Sequence, residues 1–235
     1  MHPTPQEQPS SAFPAPMQSP QTRHTFVVKA NNPVPAGSQH DVEMSSTIQL
    51  TGAQREAAPA AEVFERRTTE RWSRRSPIPF WIHGGGGGGL MCSIQPAGPD
   101  IHDVYAADGT PLARITRRAG RFLPWPRRVR WTVQLSGAPQ AFTGRVGRGV
   151  TWMLYVLSSP VWLLFFLFML VYSLFEGDTS DTSLDGPTRT RWRMAGAGTA
   201  LDYRGINKVY HYEPQRLDAR VAYAQAVLHA WERVR

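Results

Sequence analysis

Three arginines at alternate positions, Arg189, Arg191 and Arg193 in TRTRWRM, come nearest in this chain to a pattern that could do chemistry. On an extended strand, residues two apart share a face and stand about 7 Å from each other, so three guanidinium groups form a stripe able to hold phosphates. The same stripe on a solvated sheet would bind nothing. A second candidate is FLPWPRR, where Trp125 lies between two prolines and precedes Arg127 and Arg128. It reads either as an indole at headgroup depth with guanidinium groups on lipid phosphates, or as a rigid inter-strand turn with a packed Trp. Asp202, Tyr203, Arg204 and His211 are close enough in sequence to line a polar pocket. Catalysis finds less support. His83, His102, His211 and His229 are scattered, and neither HExxH nor G-x-S-x-G occurs. Cys92 is the lone cysteine, which excludes an internal disulfide and a cysteine-based zinc site. The expectation is a non-catalytic binding or structural module with no cofactor and no metal.

Charge narrows the partners. The chain carries a formal +8, and lysine occurs only at Lys29 and Lys208, so 26 − 2 = 24 of its basic residues are arginine. Together with abundant Ala, Gly and Pro, that bias fits a GC-rich genome, and each arginine is not by itself a chosen phosphate ligand. Anionic lipid headgroups are the expected partner. Nucleic acid fits less well, because no recognised binding motif accompanies the charge.

The elements that must position these residues are organised around Thr151–Phe175, which holds no charge. Trp152 to Tyr172 matches the roughly 20 helical residues that cross about 30 Å of hydrocarbon, with aromatic rings at both ends. Pro160 should kink it. A core helix hidden by a closed shell of other elements, or a re-entrant hairpin bent at Pro160, are the alternatives. Residues 1–90 are too poor in apolar side chains to order themselves and read as a disordered arm. That arm includes a weak helix near Ala60–Arg75 and a flexible linker of six glycines, Gly84 to Gly89. No N-terminal signal pattern is present, so the apolar segment would direct insertion.

Strand periodicity begins at Met91. HDVYAADGTPLARITRR reads as a hairpin turning at Ala107-Asp108-Gly109. RRVRWTVQL alternates, with Val129, Trp131, Val133 and Leu135 opposite Arg130, Thr132 and Gln134. AFTGRV follows, and beyond the acidic loop 176–187, TRTRWRM, ALDYRG and KVYHY continue the strand pattern over residues 188–213. Residues 214–235 place Leu217, Val221, Ala224, Leu228 and Trp231 on one seam of an amphipathic helix, which packs on a sheet or pairs with a protein partner. The fold expected is an α+β membrane protein: β-hairpins in 91–149, one transmembrane helix in 150–175, short strands and the C-terminal helix. It would sit in the cell membrane as a single-pass protein, the near flanks favouring a cytoplasmic N-terminus.

DVYAADGTPLARITRR and RWTVQLSGAPQAFTGRV resemble the strand-turn-strand repeats of tubby-like and phospholipid scramblase-related proteins, where a strand ending near Asp-Gly leads to a basic return strand. That resemblance implies a barrel of about a dozen strands around a long apolar helix, and contact with anionic lipid. The chain departs from it in showing only about half that number of strand patterns and in carrying its apolar segment mid-chain instead of at the C-terminus. Taken whole, the chain also resembles actinobacterial single-span membrane proteins.

Overall fold

The computed structural model describes residues 23–35, 42–52, 58–66, 78–119, 129–146, 164, 189–194, 196 and 198–234. They form twelve strands: β1 His24–Pro35, β2 Val42–Leu50, β3 Ala61–Arg66, β4 Phe80–Gly84, β5 Leu90–Gly98, β6 Ile101–Ala106, β7 Pro111–Arg118, β8 Arg130–Leu135, β9 Ala141–Val146, β10 Arg189–Met194, β11 Gly198–Arg204 and β12 Val209–Tyr212. Each strand is antiparallel to the next, and β12 returns to pair with β1, so the sheet closes into a barrel. Helix α1, Ala219–Val234, follows the last strand.

Side chains alternate across the barrel wall. Phe26, Ile48, Val63, Phe80, Ile82, Ile94, Val104, Ile115, Trp131, Val133, Phe142, Trp192, Leu201 and Tyr210 are all buried in one core. Helix α1 fills the middle of that core. Val221 to His229 are buried without interruption, which a surface helix with one apolar stripe would not show. Its residues meet strands around the whole ring: Tyr223 packs on Phe26 of β1, Trp231 on Phe80 of β4, and His229 on Trp131 of β8 and Trp192 of β10. Only a helix in the lumen can touch a closed sheet on opposite sides. Ala222, Ala224 and Ala226 keep it slim enough to fit there.

His229 fixes the register of the helix within the barrel. Its Nδ1 lies 2.9 Å from the Tyr210 hydroxyl and its Nε2 3.3 Å from Thr190 Oγ1, inside a box of Trp131, Trp192, Tyr203 and Tyr210 rings. Burial, and then the charge of Arg233, push its pKa down to about 3, so the imidazole is neutral.

Several expectations are corrected by this architecture. The transmembrane α+β fold is replaced by one mainly-β barrel. Strands β9 and β10, on either side of the apolar segment, are hydrogen-bonded neighbours, with Thr190 opposite Val146. Both flanks of the segment are therefore on the same side of any bilayer, and a single pass with one flank outside is ruled out. Thr151–Phe175 itself, apart from residue 164, and the acidic loop 176–187 lie outside the described residues. Among those described, no helix is long and apolar enough to cross a membrane.

The disordered N-terminal third is the second correction, since it supplies β1 to β4. Those strands escaped notice because a barrel wall needs an apolar residue only at every second position. Phe26, Ser46 with Ile48, Ala61 with Val63, and Phe80 with Ile82 meet that need at low average hydrophobicity. The weak helix near Ala60–Arg75 is strand β3 over Ala61–Arg66, and the change of composition at Met91 falls inside β5. The glycine run is the β4–β5 turn. Gly86 and Gly87 have φ of +68° and +81°, and a Cβ on Gly85 would collide with the Pro59 carbonyl. The C-terminal helix is present, but the barrel encloses it on every side over Val221 to His229, where one apolar seam was expected to be covered.

Candidate functional site

The outer face of β7 to β12 carries the charge. On β10, Thr190 and Trp192 are buried while Arg189, Arg191 and Arg193 point outward, the two faces expected from TRTRWRM. Register then adds what the individual strands do not reveal. Arg118 of β7 is directly opposite Arg130 of β8, Arg130 opposite Arg145 of β9, and Arg145 opposite Arg191 of β10. Adjacent strands are about 4.8 Å apart, so four guanidinium stems line up across four strands. Beside this row runs another, Thr116, Thr132, Thr143 and Arg193, also in direct register. The guanidinium groups can only donate, and the threonine hydroxyls can both donate and accept, so together they make a donor-rich surface.

Like charges placed directly opposite destabilise a sheet by a few tenths to about 1 kcal/mol per pair. Elsewhere on the outer face such charge is neutralised: Arg114 grips Asp103 with Nε–Oδ1 at 2.7 Å and Nη2–Oδ2 at 3.0 Å. Among the described residues, Arg118, Arg130 and Arg145 have no such carboxylate.

Continuing along the same register, Arg191 faces Asp202 of β11, Asp202 faces His211 of β12, and His211 faces Thr25 of β1. Asp202 is sunk among arginines. Arg189 takes both its oxygens, with Nε at 2.8 Å from Oδ1, while Arg191 Nε and Arg204 Nε approach to 3.6 and 3.8 Å. Burial alone would raise the Asp202 pKa, but the Arg189 hydrogen bonds and the charges of Arg189, Arg191 and Arg204 outweigh it and lower it. His211 is lowered by burial and then by Arg204, and its Nδ1 sits 3.1 Å from Thr25 Oγ1. A hollow of about 240 Å³ opens over these groups, lined also by Arg23, Thr199, Ala200, Tyr212 and Glu213.

Compared with known proteins, the chain matches no family model, no curated protein and no solved structure. Its geometry has to speak for its chemistry.

Of the residues singled out from sequence, Arg189 and Arg191 join the Asp202 cluster and Arg193 joins the threonine row, whereas Trp125, Arg127 and Arg128 lie outside the described residues. Asp202, Arg204 and His211 line the hollow together, but Tyr203 faces the lumen, where its hydroxyl accepts from Arg233 Nη1 at 2.6 Å. Leu217, Val221 and Leu228 are buried in the barrel core and Trp231 packs at its margin. Sequence reading missed Arg118, Arg130 and Arg145 as a group. Each stands at or next to the end of its strand on the polar face, and only the pairing of strands brings them into line.

One feature of the chain path bears on function. Strand β7 ends at Arg118, β8 begins at Arg130, β9 ends at Val146 and β10 begins at Arg189. The arginine row therefore marks the rim where two connections leave the barrel: one contains Trp125, Arg127 and Arg128, the other the uncharged Thr151–Phe175.

Proposed function

We propose that this protein is a tubby-like β-barrel that binds anionic membrane lipid through the rim of β7 to β10. The observation that carries the reading is the cross-strand row Arg118, Arg130 and Arg145, three opposed cations in direct register, which ends at Arg191 beside its partner Asp202. Such a row costs stability unless something anionic lies over it. A lipid surface supplies many phosphates at once, and each basic residue near an anionic surface contributes about 1 kcal/mol. Two sequences with membrane character, FLPWPRR and Thr151–Phe175, belong to the connections that start at this rim, which favours a bilayer over a soluble polyanion. The barrel around a C-terminal helix and the Asp-Gly hairpin of β6 and β7 support the kinship with tubby-like and scramblase-related proteins.

Sedimentation of the full chain with vesicles, with and without phosphatidylglycerol, tests the reading. Replacing Arg118, Arg130 and Arg145 together by Gln should weaken the preference for anionic vesicles roughly a hundredfold, at about 1 kcal/mol per charge removed. Equal binding to neutral and anionic vesicles, or an unchanged preference in the triple variant, would sink it.

A further inference from the structure

We propose that the hollow over Asp202, on the outer face of β10 to β12, is a separate binding site for a phosphomonoester dianion. The site does not depend on the membrane reading of the neighbouring row. Four arginines, Arg23, Arg189, Arg191 and Arg204, line it against two carboxylates, Asp202 and Glu213. Glu213 is committed to Arg216, whose Nε lies 2.7 Å from its Oε2. Four positive charges less the one of Asp202 leave three over a space of about 240 Å³. That volume is below the roughly 300 Å³ at which pockets for drug-sized ligands begin, so the occupant is a phosphate with a small substituent.

The shape of the charge specifies the class of anion. Asp202 is planar and offers two oxygens, both taken by the fork of Arg189. Arg204 approaches the carboxylate only to 3.8 Å, beyond hydrogen-bond range, and its side chain is half exposed to the hollow. A tetrahedral group with three terminal oxygens and two negative charges can accept from a second and third guanidinium fork where a carboxylate cannot. A phosphodiester has two terminal oxygens and a single charge, and fits less well. Asp202 beneath the site acts as a positioning residue: it holds the Arg189 fork in place and, being negative, weakens the anion above it. Threonine and arginine on the row outside the hollow have no such floor.

Titration calorimetry of the full chain with phenyl phosphate, and with dimethyl phosphate as the diester control, tests the site. Phenyl phosphate should bind saturably and dimethyl phosphate should not. Arg204→Gln, a change at a half-exposed side chain, should weaken phenyl phosphate about tenfold; Arg23→Gln serves the same purpose should that variant fail to fold. Arg118→Gln, Arg130→Gln and Arg145→Gln together should leave phenyl phosphate binding unchanged, which separates failure of this site from failure of the vesicle-binding row. A second arm identifies the source of the phosphate. Binding to phosphatidic acid vesicles over phosphatidylglycerol vesicles, lost in Arg204→Gln, means a lipid monoester; binding of phenyl phosphate without that preference means a free one. Absence of saturable binding by phenyl phosphate, equal binding of the diester, or indifference to both Arg204→Gln and Arg23→Gln overturns the proposal.

Discussion

Arg117 and Arg118 are neighbours on β7 and lie on opposite sides of the barrel wall. Arg117 turns toward the lumen, donating from Nη1 to Asp100 Oδ1 at 2.9 Å and from Nη2 to Glu232 of α1, so it ties the wall to the helix. Arg118 turns outward and meets Arg130, which has Arg145 on its other side. The period of two in a strand decides which arginine goes where. Where the fold uses a positive charge for itself, it provides the carboxylate. Where three cations stand in direct register with no carboxylate among the described residues, an anionic partner is the proposal.

That contrast can be broken or sharpened from the inside outward. The largest effect should come from acid. The neutral His229 has a folded pKa lowered from 6.5 to about 3, so the unfolded chain binds the extra proton between those values. The stabilisation from keeping it neutral is complete above pH 6.5 and is lost as pH falls toward 3, at up to about 1.4 kcal/mol per pH unit. Urea midpoints measured across this window should fall steeply in the natural protein and more gently in His229→Gln. Next comes the lining of the lumen. Trp192→Ala should lower stability by roughly 3–5 kcal/mol. Gly144→Ala should cost about 1–3 kcal/mol, because a Cβ there would sit 2.5 Å from Trp192 Nε1.

The direct comparison is smaller and more telling. Arg117→Met leaves Glu232 without its partner at a partly exposed site and should cost roughly 1–2 kcal/mol. Arg118→Met should change stability by no more than about 0.5 kcal/mol, with the sign toward stabilisation, since it removes one like-charge pair. Equal losses in the two variants, read from thermal melts, would erase the distinction between paired and presented arginine. The smallest effect is that of salt. Raising ionic strength to about 0.15 M shortens the Debye length to about 8 Å and should stabilise the barrel by a few tenths of a kcal/mol by relaxing the arginine row. Replacing Arg118, Arg130 and Arg145 by Gln should abolish that gain.

The legibility of this fold in its sequence ran out at non-local pairing. Strands β8 and β10 were visible because Trp131 and Trp192 alternate with polar residues over a full strand, and the β6–β7 hairpin because Asp108 and Gly109 mark its turn. Asp108 Oδ1 accepts from Thr110 N at 2.9 Å, and Gly109 has φ +83°. By contrast, β1 to β4 lie in Pro- and Gln-rich surroundings where composition averages hide one inward residue in two. The six glycines looked like a flexible tether because nothing in a glycine run signals the close approach of Pro59. The helix that the barrel does enclose reads as amphipathic because Arg216, Asp218, Arg220, Glu232 and Arg233 crowd its two ends, while Val221 to His229 between them are all buried. Arg189, Arg191 and Arg193 were legible as a stripe along one strand. The row that crosses strands was not, because its members are up to 73 positions apart (Arg118 to Arg191) and meet only through hydrogen-bond register.

The seam where β1 meets β12, His24 opposite Tyr212, has a consequence for how the chain reaches this state. Neither edge of the growing sheet is covered until Val209–Tyr212 has been made, and the helix that fills the lumen comes later still. A nascent chain stopped before Val209 would expose two open strand edges and an unfilled apolar interior, the features that recruit other chains. Folding is therefore dominated by long-range contacts and is completed only once β12 and α1 are available to close and fill the barrel. Loss of Ala219–Val234, all of α1, would yield an aggregate and not a smaller domain.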